Sequence, residues 1–423
     1  MQSLKKTPRL CLSPFRLGRY INRSVFLATQ ILPSVDNQHR KDFGPTVSPE
    51  RLLLGPGPSN ADPAVLKALS QPPIGHLDPF YVDLMSEVQE LLRYAWQTSN
   101  RLTLPMSGTG SAAMEATLAN VVEPEDTVLV AIKGYFGHRL ADMAGRYKAN
   151  VETIHKEWGN AFSLQEIEDA LKKHTPAVLA IVHAETSTGV CQPMDGIGDL
   201  CRKYNCLLLV DTVTSLGGVP LYLDEWKIDL AYSCSQKGLS CPPGLGPFSM
   251  NERAENKMSN RKDKVPNWYL DVSLLNKYWG SDRVYHHTAP VNMNFGIREA
   301  LRLLAEEGLE VSWGRHRTNA KSLWNSLENI GLELHVKEEL RLPTLTTVKI
   351  PEGVDGKAFT KHLLNNFGVE IGGGLGDLAG KVWRIGLMGY NSTSENVDKI
   401  INIFETELPV SYTHLTLPTK RIV

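Results

Sequence analysis

The chain has 423 residues, 42% of them hydrophobic and 22% charged, which is enough for two domains with a large buried core and excludes general disorder. With 45 basic against 46 acidic residues the formal charge is -1, so no global basic field recruits nucleic acid or an anionic membrane surface. No apolar run approaches the roughly 18 to 20 residues of a membrane-spanning helix, and the six cysteines form neither a C-x-x-C pair nor a zinc-spaced cluster, so the expectation is small-molecule chemistry without a metal.

The first segment, residues 1–40, carries Lys5, Lys6, Arg9, Arg16, Arg19 and Arg23 with no acidic residue before Asp36. That is the composition of a mitochondrial transit peptide, and Arg16, Arg19 and Arg23 interrupt any continuous secretory core. The matrix is the expected destination, with a plastid address or a basic extension as alternatives. From Asp126 to Asn251 strand-like and helix-like runs alternate, which predicts a mostly parallel sheet with crossover helices. Short apolar strands are expected at Thr127–Ile132, Ala177–His183, Leu207–Asp211 and Leu230–Cys234. Between them a capping box, Ser163-Leu164-Gln165-Glu166, opens a helix to about Lys173, and Gly196–Tyr204 has helical spacing. After about Ala305 the pattern changes to amphipathic helices near Arg317–Ile330 and Lys357–Phe367, with strands at Thr346–Ile350 and Val382–Met388. The fold class is therefore α/β, a large domain over 61–305 followed by a smaller α+β domain over 306–408. Residues 409–423, beginning Pro409-Val410-Ser411-Tyr412, fit no helix or strand role and read as a non-native tail, which would hide any peroxisomal signal.

Three segments carry chemistry. Ser107-Gly108-Thr109-Gly110-Ser111-Ala112-Ala113 is a small-residue turn running into a helix, whose N–H groups would cradle a phosphate. It also matches a G-x-G-x-x-A dinucleotide fingerprint; Pro105 in the preceding apolar stretch and the missing acid after Ile132 weigh against a nicotinamide dehydrogenase. Taken alone the glycines decide little. Asp211 ends a buried strand, where open α/β sheets place their crevices, although an N-cap or a turn would look the same. Lys237 follows the next apolar strand, 26 residues after Asp211, and precedes Pro242-Pro243-Gly244. An amine, a carboxylate and an anion cradle at strand ends are what pyridoxal phosphate requires: a partner for its aldehyde, one for its ring nitrogen and donors for its phosphate.

At this point the sequence resembles the class V, fold-type I aminotransferases, and among them the alanine–glyoxylate and serine–pyruvate enzymes, over about Arg51 to Leu408. The carrying segments are Gly55-Pro56-Gly57-Pro58-Ser59-Asn60, Ser107–Ala116, His183–Gly189, Val210-Asp211, Ser235-Gln236-Lys237, Tyr285-His286-His287-Thr288 and Trp383-Arg384-Ile385-Gly386. The resemblance implies that Lys237 carries the cofactor as a Schiff base and that Asp211 holds its ring nitrogen. It places Thr109, Gly110, Ser111 and Gln236 on the phosphate, with Tyr285 and Thr288 from the other subunit of a homodimer. Phe136 stands where the family usually has a ring-stacking tryptophan, Thr186 where it has a serine, and Ser111 where several members have histidine. Arg384 would take the substrate's α-carboxylate, with Ser59 and Asn60 nearby on an arm, 41–60, that reaches the site. Read without the family, Arg384 is equally a structural ion pair. The implied reaction moves an amino group from alanine, or serine, to glyoxylate. A serine–pyruvate, serine–glyoxylate or 3-hydroxykynurenine transaminase and a cofactor-sharing lyase are the rival readings.

Overall fold

The computed structural model describes residues 40–41 and 43–408. The transit-peptide segment, Arg40 excepted, and the tail at 409–423 lie outside the described residues. Regular structure begins at β1 (Leu52–Leu53). Two helices follow, α1 (Pro63–Leu69) and α2 (Pro79–Trp96), each opened by an Asp-Pro pair: Asp62 and Asp78 accept from the first-turn N–H groups, and proline sits where no intrahelical donor is needed.

The large sheet is laid down by β2 (Leu102–Ser107), β3 (Thr127–Ile132), β4 (Asn150–His155) and β5 (Val178–Val182), then, past a two-residue hairpin pair β6 (Ala184–Glu185) and β7 (Val190–Cys191), by β8 (Leu207–Asp211), β9 (Leu230–Tyr232) and β10 (Leu245–Met250). Its order is β2-β10-β9-β8-β5-β3-β4, parallel except for β10, which runs antiparallel to both neighbours. The crossovers are α3 (Gly110–Val121), α4 (Tyr135–Arg146), α5 (Leu164–His174) and α6 (Ile197–Lys203). Helices on both faces explain why β5 and β8 are apolar at every position but the last of β8. The expected capping box is formed: Ser163 Oγ accepts from Glu166 N, and the Glu166 carboxylate accepts from Ser163 N.

Three strands of the large sheet, β2, β4 and β10, were not expected, and two of them hold proline. Pro105 does not interrupt the stretch before the glycine turn, because β2 is an edge strand paired only with β10. This corrects the argument made from Pro105, and the glycine turn does link a strand to a helix. The other of these two, β10, contains Gly246 and Pro247, which break the apolar pattern. Gly246 is needed for packing: a Cβ there would lie 2.7 Å from Ala113 Cβ and 2.9 Å from Thr109 O, so the residue lets the N-terminus of α3 sit directly on the sheet.

Beyond the sheet come α7 (Glu252–Ser259), α8 (Val272–Trp279), α9 (Val291–Glu307) and α10 (Leu309–Asn329). Helix α10 starts two turns before the expected Arg317, because Gly314 and the polar run after it mask the buried pair Leu309 and Trp313. Those two residues join the core of the large domain, whereas Ala320, Leu323, Trp324 and Leu327 of the same helix join a second core. The second core is completed by β11 (Leu345–Lys349), α11 (Gly356–Phe367), β12 (Val369–Glu370), β13 (Gly372–Gly373), β14 (Val382–Gly386) and α12 (Ser394–Glu407), with β11-β14-β13 as its sheet. Trp383 at its centre packs against Phe359, tilted, and Phe404, edge to face, with ring centroids 4.9 and 5.6 Å away, and burial of such rings contributes roughly 1.5–3 kcal/mol each. Strand β1 pairs with β12 in parallel, tying the first strand to this domain.

Candidate active site

Side chains alternate along β14, so with Trp383 and Ile385 in the second core, Arg384 points the other way. It is buried, donates from Nε to Gly373 O at 2.7 Å and from Nη1 to Thr186 O at 3.1 Å, and among the described residues has no carboxylate within 4 Å. Burial lowers its pKa to about 10. A guanidinium held by carbonyls alone keeps its charge for an incoming anion, which decides against the structural ion pair.

Across the crevice, Asp211 ends β8 and is 2% exposed. Its parallel-register neighbour is Tyr232, and this pairing puts the phenol on the carboxylate: Tyr232 OH donates to Asp211 Oδ2 at 2.6 Å, while Val213 N donates to Oδ1 at 2.8 Å. Burial still pushes the Asp211 pKa up to about 6, because two donors do not replace water around a carboxylate. Tyr232 was passed over in the sequence; the only signal was an aromatic residue closing an apolar strand.

Lys237 lies five residues beyond Tyr232 and is 9% exposed. Burial is the main cause that lowers its pKa, toward the neutral amine. Its Nζ donates to Pro56 O, and Gly57 lies against it: a Cβ at Gly57, whose φ is +113°, would meet Nζ at 2.5 Å and Cε at 2.7 Å. Only glycine fits that approach. A second lysine, Lys133, is also buried at the end of β3, but its Nζ is held by Val182 O at 2.5 Å and is fully enclosed. It was missed because a lysine at a strand end reads as a surface residue.

The helix start expected to cradle a phosphate is present at Thr109. Thr109 is the N-cap of α3 with no side-chain cap bond, so the N–H groups of Gly110 and Ser111 head an uncapped helix, and the Thr109 and Ser111 side chains are exposed there. A Cβ on Gly110 would lie 2.8 Å from Cys234 Cβ, tying the cradle to the strand end before Lys237. Gln236, next to the lysine, leaves its buried Oε1 without a partner. Arg139 sits with its guanidinium carbon 4.8 Å from the Phe136 ring centroid and donates to Ser111 Oγ at 3.4 Å, which adds charge to the cradle. Thr186 Oγ1 bonds Thr214 Oγ1.

Two expected residues, Ser59 and Asn60, stand differently. Ser59 Oγ donates to Lys237 O at 2.9 Å. The Asn60 amide donates to Arg51 O and accepts from Leu53 N and Asn391 Nδ2. Their polar atoms brace the arm, so in this structure they position Gly57 rather than offer donors to a substrate. Tyr285 and Thr288 are exposed, with hydroxyls 3.5 Å apart, on a segment anchored by His287 to Ser107 Oγ at 2.6 Å.

The lysine, the carboxylate and the uncapped helix start fit the group that the sequence implied. Comparison with known proteins agrees. Residues 53–400 match the family model described as aminotransferase class-V. The alanine–glyoxylate aminotransferase of Callithrix jacchus is 49% identical over 84% of this chain and 87% of its own length. The (S)-ureidoglycine–glyoxylate transaminase of Bacillus subtilis is 41% identical over 83% and 88%. The crystal structure of an alanine–glyoxylate aminotransferase from Nostoc sp. superposes with a TM-score of 0.87 at 62% identity, covering 88% of this chain and 99% of that one.

Proposed function

The chain belongs to the class V aminotransferase family, and from that membership we propose that it moves the amino group of alanine to glyoxylate, giving pyruvate and glycine, with serine as the alternative donor. The observation that carries this reading is the meeting of Lys237, Asp211 and an unpaired Arg384 in one crevice. The enzyme uses pyridoxal phosphate, which when bound supplies an aldehyde for amines and a ring that takes up the electron pair released at the substrate's Cα.

The chain's own residues do the rest. Lys237, its pKa lowered by burial toward the neutral amine, would hold the cofactor's aldehyde and, when free of it, would carry the Cα proton on its Nζ. Asp211, oriented by Tyr232 and Val213, would pair with the ring nitrogen and favour its protonated form. Gly110, Ser111 and Thr109 would hold the phosphate, Phe136 would lie beside the ring, and Thr186 and Gln236 would supply further polar contacts. Arg384 grips the α-carboxylate of donor and acceptor alike. One site serving two half-reactions implies ping-pong kinetics. Tyr285 and Thr288, exposed and otherwise unused, are assigned to the phosphate of a second subunit in a homodimer. The basic, acid-poor stretch before Asp36 supports import into the mitochondrial matrix.

Glyoxylate is the firmer half of the assignment, since relatives named for two different donors share it. A desulfurase-like lyase would need a reactive thiolate, whereas burial pushes Cys191 up to about 11 and Cys234 and Cys241 up to about 12. The test is a panel of alanine, serine, 3-hydroxykynurenine and (S)-ureidoglycine against glyoxylate and pyruvate, with cysteine alone as the lyase control. Alanine with glyoxylate is expected to give the highest kcat/KM; a higher value for another pair, or sulfide release from cysteine alone, contradicts the proposal.

A further inference from the structure

Three neighbouring strands of the large sheet bring three ionisable side chains to one edge. In the spatial order β8-β5-β3, Asp211 ends β8, Glu185 follows shortly after β5, and Lys133 directly follows β3. Lys133 and Glu185 are fully enclosed. A lone ammonium or carboxylate is costly to bury, so both call for partners, and each is only half supplied. Lys133 Nζ donates to the carbonyl of Val182, the register neighbour of Asp211, and among the described residues it has no carboxylate within 4 Å. Glu185 Oε1 accepts from Ser187 N at 3.1 Å and from Ser187 Oγ at 2.6 Å, but its Oε2 has no hydrogen-bond partner.

The backbone holds these groups close. A Cβ on Gly134 would lie 2.4 Å from Glu185 Cδ and 2.5 Å from Ser187 Oγ, so the residue next to Lys133 rests on the Glu185 side chain. Tyr135 N donates to the same Ser187 Oγ at 2.9 Å, which ties this turn to the helix that presents Phe136. Burial lowers the Lys133 pKa, and the charges of Glu185, Cys191 and Asp211 oppose that, in this order. On Asp211, burial raises the pKa, the bonds from Tyr232 and Val213 lower it, and then Glu185 and Lys133 act with opposite signs, up and down. Two buried carboxylates in one pocket repel, and a cation shared between them lets both stay ionised. Arg384, which also feels Glu185, is committed to the substrate's carboxylate, which leaves Lys133 for that task.

We propose that Lys133 is a positioning residue for the reaction: its ammonium offsets Glu185 beside Asp211, so that Asp211 stays ionised and the proton shared with the cofactor's ring sits on the ring nitrogen rather than on the carboxylate. This rests on the reading that Asp211 pairs with that nitrogen. Lys133 touches neither substrate nor cofactor and acts through Asp211 alone.

Nitrogen NMR of holoenzyme reconstituted with pyridoxal phosphate labelled at the ring nitrogen tests this, because the chemical shift separates the protonated ring from the unprotonated one. The parent is expected to show the protonated ring. Lys133→Met should move the proton about tenfold toward Asp211, lowering kcat by a similar factor while KM for alanine stays within about twofold, since Arg384 is untouched. Adding Glu185→Gln, which keeps an acceptor for Ser187, should restore the protonated shift; a lysine that only fills space would give no such recovery. A protonated ring in both the parent and Lys133→Met overturns this proposal and leaves the role of Asp211 standing, whereas an unprotonated ring in the parent overturns both. If Lys133→Met alone does not fold, a folded Lys133→Met/Glu185→Gln chain with a protonated ring supports the charge pairing, and failure of both to fold shows a packing role and rejects it.

Discussion

A buried carboxylate without a cation close by is held at a cost, and among the described residues Asp211 has none within 4 Å. Its pKa of about 6 in the folded protein stands above the ordinary 3.8, so the folded state binds the proton more tightly than the unfolded chain does. The protein without cofactor is therefore most stable relative to this group below about pH 4, and loses stability as pH rises through about 6, on the order of 3 kcal/mol in all. Asp211→Asn removes that loss. In the cofactor-free protein it should raise Tm at pH 8, with the gap closing toward pH 4, while lowering kcat. A variant no more stable than the parent at pH 8 would contradict the account of Asp211 as a strained, functional carboxylate.

At the scale of elements, the arm that ends in Gly57 fixes the reacting amine. Ser59 N and Oγ bond the backbone at Gln236 and Lys237, Asn60 closes the arm on itself, and Gly57 comes to rest against the lysine side chain. Gly57→Ala puts a Cβ inside contact distance of Nζ, Cε and Cδ at a positive φ. Lys237 must move, and a displacement near an ångström lowers kcat about 100-fold. The expected result is a folded variant, by unchanged circular dichroism, with that loss; full activity would show that the arm does not position the lysine. Much of this was legible in the sequence and some was not. Strands β3, β5 and β8 announced themselves as bounded apolar runs, and α5 through its capping box. Lys237, Asp211 and the uncapped turn at Thr109 were readable because strand ends and helix starts are where sheet folds put chemistry. Strands β2 and β10 were hidden by Pro105, Pro247 and Gly246, whose presence depends on edge position and on close packing against α3, neither of which is a local property. The bond from Tyr232 to Asp211 required register, and the bracing roles of Ser59 and Asn60 required contacts across some 180 and 330 residues, as the bonds to Lys237 and Asn391 show.

At the scale of the whole molecule, the proposed homodimer gives Tyr285 and Thr288 of each chain to its neighbour's phosphate. If so, two defective subunits can repair one another. A Lys237→Ala chain mixed with a Tyr285→Ala/Thr288→Ala chain would form one intact and one doubly damaged site per mixed dimer, restoring about a quarter of full activity at random pairing. No gain over the separate variants would show that each chain builds its own site. Beneath that question lies the covalent anchor. The most direct test is Lys237→Ala, purified with pyridoxal phosphate and followed by its visible spectrum and by single-turnover transamination. The account predicts cofactor that is bound but no longer joined to the protein after borohydride reduction, with no turnover. A borohydride-stable link in that variant, or turnover comparable with the parent enzyme, would contradict it.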